Sequence, residues 1–396
     1  MKKTNKSKTV ENVPNPEKLI KNVEYAISKL ENNEFTLYFF VLDSKNVPNE
    51  TMCYIYQMAK AMQDKGYNVC MVYQMDNEYT KEEIEEIEKN GGVPDENRVF
   101  VGVGEWLGEE FAAMPHLNIA KEPWNVGGYD FLFIPEVFST IMFLTLKNKI
   151  PCKRYVILHD FSYVTEFIPL GQQWANYGMD HVVATCEEQA KRINTVFPYT
   201  KEHTTVIEPY FPTYFRKPVT AKKMIVNIIA KDKEDVNRIV KPFYWKYPLY
   251  SFISFRDLRG FPRKMYAELL QEGQITVWCD DKTPFGCSAV EALKCGNLVI
   301  GKLPDIIPEW MTDENGIWFN DLIDVPDLIY KAVSTLLADE MPKILQKGID
   351  EMEKKYNYDE YEKKIDSFVE KMKAERIKEL GAYADIEKNK IKNNAE

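Results

Sequence analysis

Long apolar runs are missing from this sequence. A helix that crosses a bilayer takes about 20 mostly apolar residues, and the longest runs here, such as residues 35–42 (FTLYFFVL), have the length of a strand. Paired cysteines are missing too. The seven cysteines, at 53, 70, 152, 186, 279, 287 and 295, are odd in number and never spaced CxxC. That speaks against a disulfide framework and for a reducing compartment. Histidine is scarce, with four residues at 116, 159, 181 and 203, and none has the spacing of a zinc site. No Asp-x-Asp pair is present to hold a metal on a phosphate; Asp280 and Asp281 are merely adjacent. Positive charge is not in excess. Lys and Arg number 51 against 61 Asp and Glu, a net charge of −10. Nothing therefore draws the chain as a whole to nucleic acid or to an anionic membrane. Residues 1–18 are basic and polar and lack the apolar centre of a signal peptide. We read residues 1–16 as a flexible tail and expect a cytoplasmic protein.

What is present suffices for two cores. The chain has 396 residues, 45% of them apolar and 13% aromatic, which sets two domains as the expectation. Leu19, Ile20, Val23, Ala26, Ile27 and Leu30 form a helical stripe. Residues 35–42 then read as a strand buried on both faces. A loop leads to a helix over about 51–65, closed by Gly66, and to a strand over 68–73. That is the opening βαβ of a doubly wound domain. The loop holds Pro48, Asn49 and Glu50 and no glycine. It reads as plain surface, and Glu50 would repel a phosphate that it faced. Further strands are expected at 129–135, 154–158 and 181–185, with 206–207 closing the sheet. Residues 208–222 carry Pro209, Pro212 and Pro218 without a period and read as a linker. A second alternation follows: strand 224–230, helix 233–245, strand 251–255, helix 262–271 and strand 275–278.

The most informative stretch is 275–310 (ITVWCDDKTPFGCSAVEALKCGNLVIGKLPDIIPEW). It reads as strand, Gly286 turn, helix from Cys287 to Lys294, Gly296 stop and strand 298–300. Gly286 lets a ligand approach the backbone closely. The amides of Gly286, Cys287 and Ser288 at a helix start suit a diphosphate. Glu291, one turn on, could accept bonds from the vicinal hydroxyls of a ribose. A core helix with a solvated Glu291 is the other reading that these residues allow.

The run Phe285-Gly286, Glu291-Ala292-Leu293, Cys295-Gly296, Val299-Ile300-Gly301 and Pro308-Glu309 resembles the donor-site signature of retaining GT-B glycosyltransferases (group 1, family 4-like). In that signature two glutamates stand eight positions apart. Glu291 matches the second, and Thr283 stands where the first would be. The resemblance implies an α/β architecture of two doubly wound Rossmann-like domains facing a cleft. Residues 17–208 would form the acceptor-side domain, 209–222 the linker and 223–341 the nucleotide-sugar domain. Residues 342–396 would hold C-terminal helices, crossing back to the first domain, and a tail.

The same resemblance implies a transfer of a sugar from a nucleotide-sugar to a hydroxyl acceptor, of hexosyltransferase type, with retention and without metal or cofactor. His159 and Asp160, at the end of the strand 154–158, fall on the catalytic positions; a core or surface histidine is the alternative. Lys231 leaves its strand at the ligand edge, where it would pair with the diphosphate or else merely extend into solvent. Arg256 would lie near the base, or form a salt bridge to Asp257 or Asp280. Thr283, Gly286, Cys287, Ser288 and Glu291 complete the expected donor site. Two rivals stay open: a catalytically lapsed protein on the same scaffold, and a transferase acting on modified nucleic acid bases, against which the acidic balance weighs. Donor, acceptor and oligomeric state are left open.

Overall fold

Alternation of apolar runs with amphipathic segments yields two parallel sheets. The computed structural model describes residues 16–179, 181–280, 282–338 and 343–395, so all but the last residue of the expected N-terminal tail lies outside the described residues. The first sheet has seven strands: β1 (Thr36–Phe40), β2 (Asn68–Tyr73), β3 (His116–Asn118), β4 (Phe131–Pro135), β5 (Lys153–Leu158), β6 (His181–Ala184) and β7 (Thr204–Val206). Their spatial order is β3-β2-β1-β4-β5-β6-β7. The second has β8 (Lys223–Ile229), β9 (Ser254–Asp257), β10 (Gly273–Trp278), β11 (Leu298–Lys302) and β12 (Ile317–Phe319), in the order β12-β11-β10-β8-β9. All the pairings are parallel. This is the expected α/β class with two doubly wound sheets.

The strands hold together because both faces are covered. In β1, Leu37 and Phe39 are fully buried on one face, and Tyr38 and Phe40 nearly so on the other. Phe39 stacks on Phe133 of β4, ring centroids 4.5 Å apart. Such two-sided burial explains why the run lacks polar alternation. Strand β3 was not expected; it is only three residues long, too short to show a period. Strand β9 starts at Ser254 rather than 251, because Pro248–Tyr250 form a 3₁₀ turn first. Phe211 and Phe215, in the proline-rich segment after β7, are buried in the second domain's core.

After the second sheet, helices Val325–Leu337 and Lys343–Lys355 cover it, and helix Tyr358–Ala395 crosses back. Its Tyr361, Ile365, Phe368, Val369 and Met372 join the core under β1 and β4. Arg376 donates to Gly128 O at 2.7 Å, and Lys364 pairs with Glu208 at 2.6 Å.

Each sheet reverses its strand order once, between β1 and β4 and between β8 and β10. Open parallel sheets bind ligands outside the carboxyl ends of the strands at such reversals. The two reversals face one cleft.

Candidate active site

A cleft of about 540 Å³ lies between the two sheets. Its first wall comes from the loops after β1 and β5, with Glu50, Thr51, His159 and Asp160. Its second wall comes from the ends of β8 and β10 and from two helix starts, with Lys231, Asp280, Arg263 and Cys287.

The start of helix Cys287–Lys294 is built by Gly286, which sits in the left-handed region at φ 71° and ψ 48°. A side chain there would be strained, and its Cβ would come within 3.1 Å of Trp278 and 3.3 Å of Trp310. Trp310 in turn fixes the turn by donating its Nε1–H to Phe285 O at 2.7 Å. Cys287 and Ser288 line the cleft; Gly286 itself does not. Among the described residues, no side chain of its own loop caps this helix. A residue from the other domain does so: the Cys287 N–H donates to Glu50 Oε1 at 3.0 Å.

That contact corrects the reading of the loop after β1 as plain surface. Asn49 caps helix Glu50–Asp64 by accepting from Met52 N–H at 2.9 Å. The cap places Glu50 on the first turn, aimed across the cleft. Burial pushes the half-buried Glu50 carboxyl up to about 7, its bond to Cys287 pulls it back, and Asp280 adds to the rise.

His159 is 4% exposed, and its Nδ1 lies 3.1 Å from Thr51 Oγ1. Burial lowers its pKa to about 4, so the ring is neutral at neutral pH. Its main-chain oxygen accepts from Gln189 Nε2 at 2.8 Å, which fixes the strand end. The Asp160 carboxylate is committed to structure as well as lining the cleft: it accepts from Ser162 N–H at 2.8 Å and Ser162 Oγ at 2.7 Å, capping helix Phe161–Phe167. Behind this pair stands Glu136, fully buried at the end of β4. It accepts from Asp160 N–H at 2.7 Å. Burial pushes its carboxyl up to about 8.

On the second wall Lys231 Nζ lies 3.0 Å from Asp280 Oδ1. The other oxygen of Asp280 accepts from Thr283 Oγ1 at 2.6 Å. Thr283, which occupies the first glutamate's place, thus holds a carboxylate that stands three residues earlier. Arg256 does not line the cleft. It pairs with Glu272 at 2.6 Å rather than with Asp257 or Asp280, because β9 carries it away from the reversal between β8 and β10. Glu291 does line the cleft, 4% exposed, with Oε1 2.5 Å from Arg263 Nη2. Burial pushes its carboxyl up to about 7 against the pull of Arg263. Arg263 also donates to Cys53 Sγ of the first domain at 2.7 Å.

Sequence reasoning missed Arg263. One signal was available: a cation at the first position of a helix opposes the helix dipole and therefore points to a partner elsewhere. Glu50 gave no such signal, since an acid at a helix start is favourable and common.

No protein-family model matches the chain. In sequence it is similar to an alpha-1,6-glucosyltransferase of Actinobacillus pleuropneumoniae serotype 7 (strain AP76), 23% identical over 245 residues, covering 58% of this chain and 68% of that one. In structure it is similar to Anabaena HepE in complex with UDP and glucose (TM-score 0.59, 12% identity, 85% of this chain and 100% of that one). It is also similar to the pneumococcal O-GlcNAc transferase GtfA in complex with UDP and GlcNAc (TM-score 0.57, 9% identity, 85% and 99%). A glycosyltransferase from Rickettsia africae aligns over 85% and 98%, with TM-score 0.54 and 13% identity. With its two sheets reversing onto one cleft and its last helix returning to the first domain, the chain has the fold of the GT-B glycosyltransferases.

Proposed function

We propose that the chain is a glycosyltransferase that takes a sugar from a nucleotide-sugar and passes it to a hydroxyl. The observation that carries this reading is the convergence on one cleft of a helix start, Lys231, the buried Glu291–Arg263 ion pair and a neutral histidine from the facing domain. The glucosyltransferase relative and the neighbours holding UDP support the same reading. In it, the amides of Cys287 and Ser288 with Lys231 hold the diphosphate, and they stabilise its charge as it leaves. These groups do the neutralising that a metal would otherwise do. Glu291, fixed by Arg263, offers its second oxygen to the ribose. Neutral His159 faces the sugar from the first domain. Closure of the two walls excludes water from the transfer. Retention of configuration rests on the donor-site resemblance.

A second reading, a lapsed transferase that binds without turnover, has Thr283 and the Glu50 contact in its favour. One set of measurements separates the two. The full chain is heated with UDP, GDP and their sugars; a ligand that binds the folded state raises the unfolding temperature. Slow hydrolysis of a donor that binds identifies an enzyme, and binding without hydrolysis or transfer identifies the lapsed form. Lys231→Ala is expected to weaken diphosphate binding by about 1.5 kcal/mol, the worth of a hydrogen bond to a charged group. Unchanged affinity removes Lys231 from the site.

A further inference from the structure

We infer that Glu50 is an internal anion, seated on the helix amide that the donor diphosphate takes, and that nucleotide binding requires its release. The inference rests on the proposed function for the identity of the ligand. It rests on the geometry for the rest. Glu50 belongs to the first domain, and the Cys287 amide that it occupies belongs to the second. The bond therefore spans the cleft. A carboxylate on a helix N–H supplies the same two things as a phosphate oxygen: an acceptor for the orphan donor and a negative charge at the positive end of the dipole.

The surroundings of Glu50 are built for release. Asp280 and Glu291 of the second domain both stand near enough to disfavour its charge, against the hold of the Cys287 amide and thiol. An acid set among other acids is a poorly held occupant. A diphosphate brings more charge to the same dipole, and Lys231, paired with Asp280, is within the same cleft.

A second contact of the same kind shows how the closed arrangement is completed. Glu309 of the second domain accepts from Glu188 N–H at 2.7 Å, on the first turn of helix Glu187–Val196 in the first domain. Arg192 on that helix donates to Asp305 O at 2.6 Å. Each domain thus inserts a glutamate into the start of a helix of the other. Only the Glu50 contact lies in the cleft. Glu309 therefore serves as the control: removing its charge weakens the same closure and leaves the Cys287 amide occupied.

The test is calorimetric titration of UDP, GDP and ADP into the full chain and into Glu50→Ala, Glu50→Gln and Glu309→Gln, with unfolding temperatures recorded for each. Glu50→Ala is expected to bind the preferred nucleotide at least about tenfold more tightly than the natural chain, the effect of one hydrogen bond to a charged group. Glu50→Gln, which keeps an acceptor but no charge, is expected to fall between. Glu309→Gln is expected to stay within about twofold of the natural chain. Equal or weaker binding by both Glu50 variants, with the natural chain binding, overturns the inference and leaves the donor site standing. Equal tightening by Glu309→Gln also overturns it, because opening and not competition is then the cause. If none of the four proteins binds any nucleotide, the donor reading itself fails and this inference with it.

Discussion

Glu136 is the side chain whose charge the fold constrains most plainly. It is fully buried, one oxygen accepts from Asp160 N–H, and the other has no hydrogen-bond partner among the described residues. Burial raises its folded pKa to about 8 from an ordinary value of 4.5. Between those values the folded chain holds a proton that the unfolded chain has lost. Stability is therefore present below about pH 4.5 and is lost as pH rises through 8. Replacing it with the neutral isostere removes that dependence. Glu136→Gln is expected to be more stable than the natural chain by about 4 kcal/mol at pH 8 and by under about 1 kcal/mol near pH 5. Urea titrations at the two pH values check this; a constant difference between the proteins counts against a protonated Glu136. His159 acts in the opposite sense. Its folded pKa of about 4 lies below the ordinary 6.5, so its contribution is lost as pH falls from 6.5 toward 4. The two windows overlap between about pH 4.5 and 6.5, but the signs are opposite, and from 6.5 to 8 only the Glu136 dependence of the two remains.

At the scale of the element, the turn into helix Cys287–Lys294 shows what glycine does here. The backbone at Gly286 is left-handed, and a Cβ there would be tight against Trp278 and Trp310. Gly286→Ala is expected to destabilise the chain by about 2 kcal/mol, from backbone strain and displaced rings together. It is also expected to weaken nucleotide binding, since the Cys287 amide moves with the turn. Thermal unfolding and titration report the two effects separately; a variant with natural stability shows that the rings yield. The sequence made this helix legible to the residue, because Gly286 and Gly296 bracket it. It could not show that the helix start is already occupied. Glu50 lies 237 positions away, and no local pattern couples residues so far apart.

For the molecule as a whole, the last helix ties the two ends of the fold. Ile365 is fully buried among first-domain residues, although it follows the entire second domain in sequence. Ile365→Ala is expected to cost about 3 kcal/mol, from lost burial and the cavity left behind, and to lower the unfolding transition of the first domain. A change under about 0.5 kcal/mol shows that the helix is dispensable to that core.

The sequence by itself determined the local order of the chain: which runs are strands buried on both faces, where helices begin and stop, and that two alternating halves are joined by a proline-rich segment. Those features follow from periodicity and from glycine and proline, which act over a few residues. It also placed His159 and Lys231 at strand ends, Thr283 in the loop after β10, and Glu291 on the helix that lines the cleft. The tertiary structure decided which charges meet. It sent Arg256 to Glu272 and brought in Arg263 for Glu291. It set Asp280 between Lys231 and Thr283, and laid Glu50 on the Cys287 amide. Pairing of charges depends on distance in space and on burial, and both arise only when the two sheets are brought face to face.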